Sequence, residues 1–325
     1  MPDSELPPHD VLRQAAHWFA TLTDEPVSEK DRCAWQAWFQ ASPENQQAWQ
    51  YVEQVGQRFH QARQQVGTTD AGQIVTRTRN HRLSRRRVLG GGIACATLGL
   101  LSQTPAARTT HRWAVALTAD HHTGIGEQQH LSLQDHSQLW LNTATAVDVE
   151  YRQQRRTISL RQGEILVQTA PDKQGRPFIV TTNAGTLRAL GTRFAVHQGD
   201  HQVRVDVFEG AVEIRTVDGL SETIPAGWQT SFSNRQISPL GETNDAREAW
   251  RNGLIIAINT PLTTLVTELA RYRHGHLEVA PSLEHLTVTG TFPIHKPDLA
   301  LTMLENTLPI RVLHLLPWWV SLEPR

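Results

Sequence analysis

The chain has 325 residues, enough for two or three domains, and a formal net charge of −1. That near-neutral balance excludes a general nucleic-acid binder, which needs a basic face to displace counterions. Two cysteines, Cys33 and Cys95, leave everything after Ala107 without a disulfide, and sixteen scattered histidines show no HExxH or Cys/His ligand spacing, so no metal or cofactor is expected.

Residues 1–8 are polar and contain prolines. From Asp10, the residues Val11, Leu12, Ala15, Ala16, Phe19 and Leu22 recur at three-to-four spacing and predict a helix, which Asp24-Glu25-Pro26 ends. Ser28, with Asp31 three residues on, opens a second helix in a capping-box arrangement; its apolar face carries Ala34, Trp35, Trp38 and Phe39. Ser42-Pro43 is an N-cap followed by proline at the first helical position, and the third helix carries Ala48, Trp49, Val52, Val55 and Phe59. Residues 1–66 therefore read as a small all-α bundle. Four of the ten tryptophans, Trp18, Trp35, Trp38 and Trp49, fall inside it. So small a bundle has little interior. Either the four are its core, or one or two face outward as anchors for a partner.

Residues 67–87 form a linker ending in Arg77, Arg79, Arg82, Arg85, Arg86 and Arg87, with no acid among them. Val88–Leu101 is uncharged, and the uncharged run continues to Ala107. A basic flank before an apolar run predicts one membrane span over 88–107 with the N-terminal side in the cytoplasm. Gly90-Gly91-Gly92 and the polar tail bring it near the lower limit of a span, and a buried glycine-rich helix is the rival. Ser84-Arg85-Arg86-Arg87-Val88-Leu89 also resembles a twin-arginine export signal built on Arg85 and Arg86, although Val88 stands where Phe is usual and Gly90 where Lys is usual.

From 108 to 240 the texture is β. Short strands are predicted at Glu127–Leu133, Gln138–Leu141, Val147–Tyr151, Arg156–Leu160, Gly163–Gln168, Phe178–Thr182, Thr186–Ala189, Arg193–His197, Val203–Phe208 and Ala211–Thr216. Their regular spacing, with turn residues between, indicates an all-β sandwich or solenoid-like coil. Residues 245–325 change again. Leu254–Ile258 is a strand, Thr260-Pro261 starts a helix with Thr260 as its cap, and Leu277–Val279 and Val288–Phe292 are strands. Lys296-Pro297-Asp298 then opens a second helix, followed by strands at Ile310–Leu315 and Trp319–Leu322. This is strand–helix–strand twice, a small α+β domain with a pseudo-repeat.

A resemblance now covers almost the whole chain. Ala15-Ala16-His17-Trp18-Phe19, Trp35-Gln-Ala-Trp38-Phe39 and Ser42-Pro-Glu-Asn-Gln-Gln-Ala-Trp49 resemble the sigma-binding bundle of FecR-like transmembrane anti-sigma regulators of Gram-negative bacteria. Leu139-Trp-Leu-Asn-Thr143, Leu160-Arg-Gln-Gly-Glu164, Leu190-Gly-Thr-Arg-Phe-Ala-Val196 and Val207-Phe-Glu-Gly-Ala-Val212 resemble that family's periplasmic β domain. Ala249-Trp-Arg-Asn-Gly253, Pro261-Leu262, Arg271-Tyr272 and Val288-Thr-Gly290 resemble its C-terminal domain, which is similar to the short N-terminal domain of secretins and TonB-dependent receptors.

The resemblance implies a multidomain protein of the inner membrane. An N-terminal α bundle (1–66) would hold an extracytoplasmic-function sigma factor through Trp18, Trp35, Trp38 and Trp49. A transmembrane helix (88–107) would be followed by a periplasmic all-β domain (108–240). A C-terminal α+β domain with two β-α-β units (245–325) would bind the signalling domain of an iron-chelate-loaded TonB-dependent outer-membrane receptor. Strand addition at a sheet edge would use Val288, Thr289 and Phe292 or Ile310 and Val312. Trp318-Trp319 is either a late core strand or an exposed anchor. In the family, some members are thought to cleave themselves at the Gly-Thr bond that corresponds to Gly191-Thr192; the bland alternative is a glycine turn before a strand. Direct nucleic-acid contact is not implied. The rival functions are a single-pass periplasmic scaffold or a tethered enzyme, but the chain offers no Gly-x-Ser-x-Gly, metal spacing or phosphate loop.

Overall fold

The computed structural model describes residues 7–23, 28–67 and 118–325. Helices α1 (His9–Thr23), α2 (Glu29–Ala41) and α3 (Pro43–Gly67) lie where the apolar spacing puts them. Ser28 caps α2: its hydroxyl accepts from the Asp31 N–H at 3.1 Å and donates to the Asp31 carboxylate at 2.6 Å. The Ser42 hydroxyl accepts from the Asn45 N–H at 3.1 Å and starts α3.

The β domain is built on one long strand, β5 (Arg156–Gln168). Its first half sits in a sheet with β1 (His121–His122), β4 (Ala146–Tyr151), β6 (Phe178–Thr181), β7 (Gly185–Ala189), β10 (Ala211–Thr216) and β11 (Ser221–Pro225). Its second half sits in another, with β2 (Gln129–Ser132), β3 (Gln138–Leu141), β8 (Arg193–Gln198), β9 (Val203–Glu209), β12 (Trp228–Phe232) and β13 (Gly241–Glu242). The sequence pattern divides β5 into two strands at Gly163. The structure keeps it continuous and passes it from one sheet to the other there. Gly163 has φ +86°, and a Cβ on it would lie 2.3 Å from Thr145 Oγ1, so only glycine allows this crossing. Between the sheets lies one apolar core that includes Leu139, Leu141, Ile158, Ile165, Phe178, Leu187, Phe194, Ile214 and Phe232.

A 3₁₀ helix (Asp245–Asn252) leads into the C-terminal module: β14 (Leu254–Pro261), α4 (Leu262–Ala270), β15 (His276–Val279), β16 (Thr287–Pro293), α5 (Pro297–Thr307), β17 (Ile310–Leu316) and β18 (Trp319–Pro324). The two strand–helix–strand units interleave rather than stand side by side. β14 pairs with β16, while β18 pairs with β15 in parallel and with β17 antiparallel. Leu262, Leu265 and Leu269 of α4 and Ala300, Leu301 and Leu304 of α5 fill the space between the two small sheets. The Thr260 cap expected for α4 is not made. Thr260 lies in β14, and Pro261 precedes α4 without a side-chain cap.

The expected fold class needs correction at the N-terminal end, where the α bundle is not a separate domain. Residues 88–107, and Arg85 and Arg86 before them, lie outside the described residues. Among the described residues no helix is long and apolar enough to cross a membrane. Nor do the N-terminal helices form a core of their own. No residue of α2 is buried, and the described side chains of α1 and α3 do not close an interior by themselves. Leu12, Ala15, Ala16, Ala48, Val52 and Val55 complete their core with Leu316, Trp318 and Trp319 of the C-terminal module. Trp318 and Trp319 are thus core residues, 2 % and 0 % exposed. The Trp318 ring meets Phe19 edge-on at 5.5 Å, and the Tyr51 hydroxyl hydrogen-bonds to His276 Nδ1 at 3.0 Å.

Candidate functional site

The four N-terminal tryptophans separate into two pairs. Trp49 is buried, with its ring 5.0 Å from that of Trp35 and 6.0 Å from that of Phe19. Trp35 stacks on Phe39 at 5.4 Å. These rings hold α1, α2 and α3 together. Trp18 and Trp38, both half-buried, instead line an open groove of about 520 Å³ between α1 and α2, with Arg13, Gln14, His17 and Ala20 from α1 and Leu315 from β17. The Trp38 indole is fixed by its N–H, which donates to Gln14 Oε1 at 2.8 Å, and by Asn45, whose side-chain amide donates to the Trp38 carbonyl at 2.7 Å. An apolar trough with a basic and polar rim is suited to an amphipathic helix of a partner. Spacing alone could not divide the four, because Trp18 becomes a rim residue only once β17 closes one side.

In the C-terminal module, Val288, Phe292 and Ile310 are 5 %, 4 % and 0 % exposed, so their side chains belong to the core. Thr289 is exposed, with its hydroxyl accepting from the Asn259 N–H at 3.0 Å, and Val312 is half-buried. Strand alternation explains the split: every second residue of β16, and of β17 at Ile310 and Val312, faces inward. What these strands offer outward is backbone. β14 and β16 form a two-stranded sheet and β17 is the outer strand of the other. β14 also exposes Ile256 and Ile258, 38 % and 64 %, which the sequence reading did not single out.

Gly191 and Thr192 sit in the turn between β7 and β8. Gly191 has φ +75°, and the chain at Gly210 comes so close that a Cβ there would lie 2.3 Å from the Gly191 oxygen. Thr169 clamps the Thr192 peptide unit. Its hydroxyl accepts from the Thr192 N–H at 2.9 Å, and its N–H donates to the Thr192 carbonyl at 2.9 Å. Thr192 is 4 % exposed and its Oγ1 is buried without a hydrogen-bond partner. His197, the nearest histidine in sequence, is no base for this bond: five residues along an extended strand is roughly 16 Å. It lies opposite Glu164 on β5, and burial pushes its pKa down to about 4. Among the described residues no group of histidines, cysteines and carboxylates could hold a metal ion.

The described residues thus present an open groove on the helical module and free strand edges on the C-terminal module. The FecR protein model matches residues 119–213, and the model of a domain of unknown function, DUF4880, matches residues 13–55. Two crystal structures of a Parabacteroides distasonis protein provisionally described as an anti-sigma factor share the fold. One, at 1.65 Å resolution, is 21 % identical with a TM-score of 0.53; the other, at 2.50 Å, is 20 % identical with a TM-score of 0.51. Each match covers 63 % of this chain and 98 % of the other. No curated protein matches the chain.

Proposed function

We propose that this chain is an anti-sigma regulator. Its helical module holds an extracytoplasmic-function sigma factor in the groove of Trp18 and Trp38. Its C-terminal module takes the signalling domain of a TonB-dependent outer-membrane receptor that carries an iron chelate, by strand addition along β14 or β17. The groove is the observation that carries the first half: two half-buried indoles line one apolar trough between α1 and α2. The DUF4880 and FecR matches, in that order along one chain, support the same reading. The test is co-purification with the tagged full chain from its own organism. A sigma factor identified by mass spectrometry, and lost in Trp18→Ala/Trp38→Ala, supports the reading. A folded chain that brings down no sigma factor overturns it.

Self-cleavage between Gly191 and Thr192 belongs to the same proposal. Thr192 Oγ1 attacks the Gly191 carbonyl carbon, the C–N bond breaks, and the hydroxyl proton passes to the Thr192 nitrogen. The resulting ester is then hydrolysed by water. The left-handed Gly191, the clamped Thr192 peptide unit and the unpartnered hydroxyl support it. Thr192→Ala should abolish the two fragments; the same fragments from that variant would sink the idea.

A further inference from the structure

The β domain and the C-terminal module meet along a seam that none of these roles uses. Its apolar part is Leu166 and Ala195 from β5 and β8, against Trp250, Tyr272 and Ile294. Its polar part is more specific. Asn142, 0 % exposed, donates from one side-chain amide to Glu164 Oε2 at 2.9 Å and to the Tyr272 hydroxyl at 2.8 Å. Arg271 donates to the same Glu164 oxygen at 2.7 Å, and its own carbonyl accepts from Thr143 Oγ1 at 2.9 Å. Gln128 donates to the Trp250 carbonyl at 2.8 Å.

Glu164 is 3 % exposed. Burial opposes its ionisation, but Arg271, with His197 and Arg204 behind it, holds its pKa at about 2. Arg271 closes α4, which the core leucines fix, so the guanidinium is presented by a rigid element.

We propose that this seam is a latch that makes the β domain and the C-terminal module one rigid body, with Arg271 and Tyr272 as its bolt and Asn142, Thr143 and Glu164 as its socket. A buried ion pair whose carboxylate oxygen also accepts from Asn142 fixes one relative orientation, where an apolar seam alone tolerates sliding. The seam also reaches the Gly191-Thr192 turn, because Arg193 pairs with the buried Glu248 of the 3₁₀ helix. A partner pulling on the C-terminal module therefore moves the β domain with it. That consequence rests on the receptor-facing role proposed above; the latch does not.

The test is hydrogen exchange on the full chain, with and without Arg271→Ala. The apolar contacts of Leu166, Ala195, Trp250 and Ile294 survive this change, so any opening reports the loss of the Arg271 guanidinium. Protection should fall on both sides of the seam, at 123–128 and 142–145 and at 250–255, while 178–189 stays protected. The expected fall is about 100-fold, the low end of the loss from breaking a buried pair, converted at 1.4 kcal/mol per tenfold. Adding Glu164→Gln should restore part of it by removing the stranded charge. Unchanged protection, or a loss confined to α4, overturns the proposal. If Arg271→Ala loses protection throughout, Tyr272→Phe decides: a smaller two-sided fall supports the latch and no change refutes it.

Discussion

Trp318→Ala is the most informative single change. The indole is 2 % exposed and packs on Phe19 of α1 and on Gly56 of α3, where a Cβ would lie 3.0 Å from Trp318 Cζ2. Roughly 200 Å² of buried aromatic surface at about 25 cal/mol/Å² is about 5 kcal/mol, and measured Trp→Ala losses run about 3–5 kcal/mol. Phe19 and Trp318 are 299 residues apart in sequence (318 − 19), so coupling between them reports the shared core directly. In a Phe19→Ala/Trp318→Ala cycle on the full chain, followed by helical circular dichroism during denaturation, the pair should show an interaction energy of about 0.5–1.5 kcal/mol. Gly56→Ala sharpens the sign. In a free helix it stabilises by about 1 kcal/mol; against Trp318 and Phe19 it should gain nothing, and Trp318→Ala should release the gain. A zero cycle, with helices that melt identically in Trp318→Ala, would refute the shared core. It would leave the N-terminal helices free to lie apart from the C-terminal module.

Three further outcomes follow from other parts of the structure. His197 is held down at about 4 in the fold against 6.5 when free. The unfolded chain therefore binds the extra proton first, and stability should fall as pH drops from 6.5 to 4, by at most about 3 kcal/mol at 1.36 kcal/mol per pH unit; His197→Gln should flatten that window in a urea titration. Asp135 accepts from Arg156 at 2.6 Å and from the Tyr151 hydroxyl at 2.8 Å, and both members of the ion pair are buried. Although burial opposes its ionisation, the hydrogen bonds from Ser137, Arg156 and Tyr151 keep its pKa below the ordinary value. Asp135→Ala should cost about 3–5 kcal/mol by stranding the arginine, read as a lower denaturation midpoint of the β domain. Gly163→Ala must meet Thr145 at 2.3 Å from a left-handed backbone; the measured midpoint should fall by at least about 1–3 kcal/mol.

Much of the β domain was legible because alternation and turn residues coincide. Phe178–Thr181, Val203–Glu209 and Ala211–Thr216 begin where period two begins and end within a residue of the reading. The strands Ser221–Pro225 and Trp228–Phe232 are not legible in the sequence, since Ser-Glu-Thr and Gln-Thr-Ser carry little apolar signal. Asp135 reads as a turn residue and is one, but nothing local shows that Arg156 comes back to it. The motifs Leu139–Thr143, Gly163-Glu164 and Arg271-Tyr272 were each visible as motifs; that they form one buried seam depends on packing between elements over a hundred residues apart. The same holds at the ends of the chain. Helical spacing found α1 and α3, while the fact that they lack a closed core appears only when Trp318 and Trp319 fill it.

The central claim is that the groove at Trp18 and Trp38 holds a sigma factor. Its most direct test is transcription in vitro by the sigma factor recovered with the tagged chain. Full chain at equal molar ratio should silence its promoter, and Trp18→Ala/Trp38→Ala, with unchanged helical content, should leave transcription on. Silencing that survives the double substitution would contradict the groove, and no silencing by the intact chain would contradict the anti-sigma reading itself.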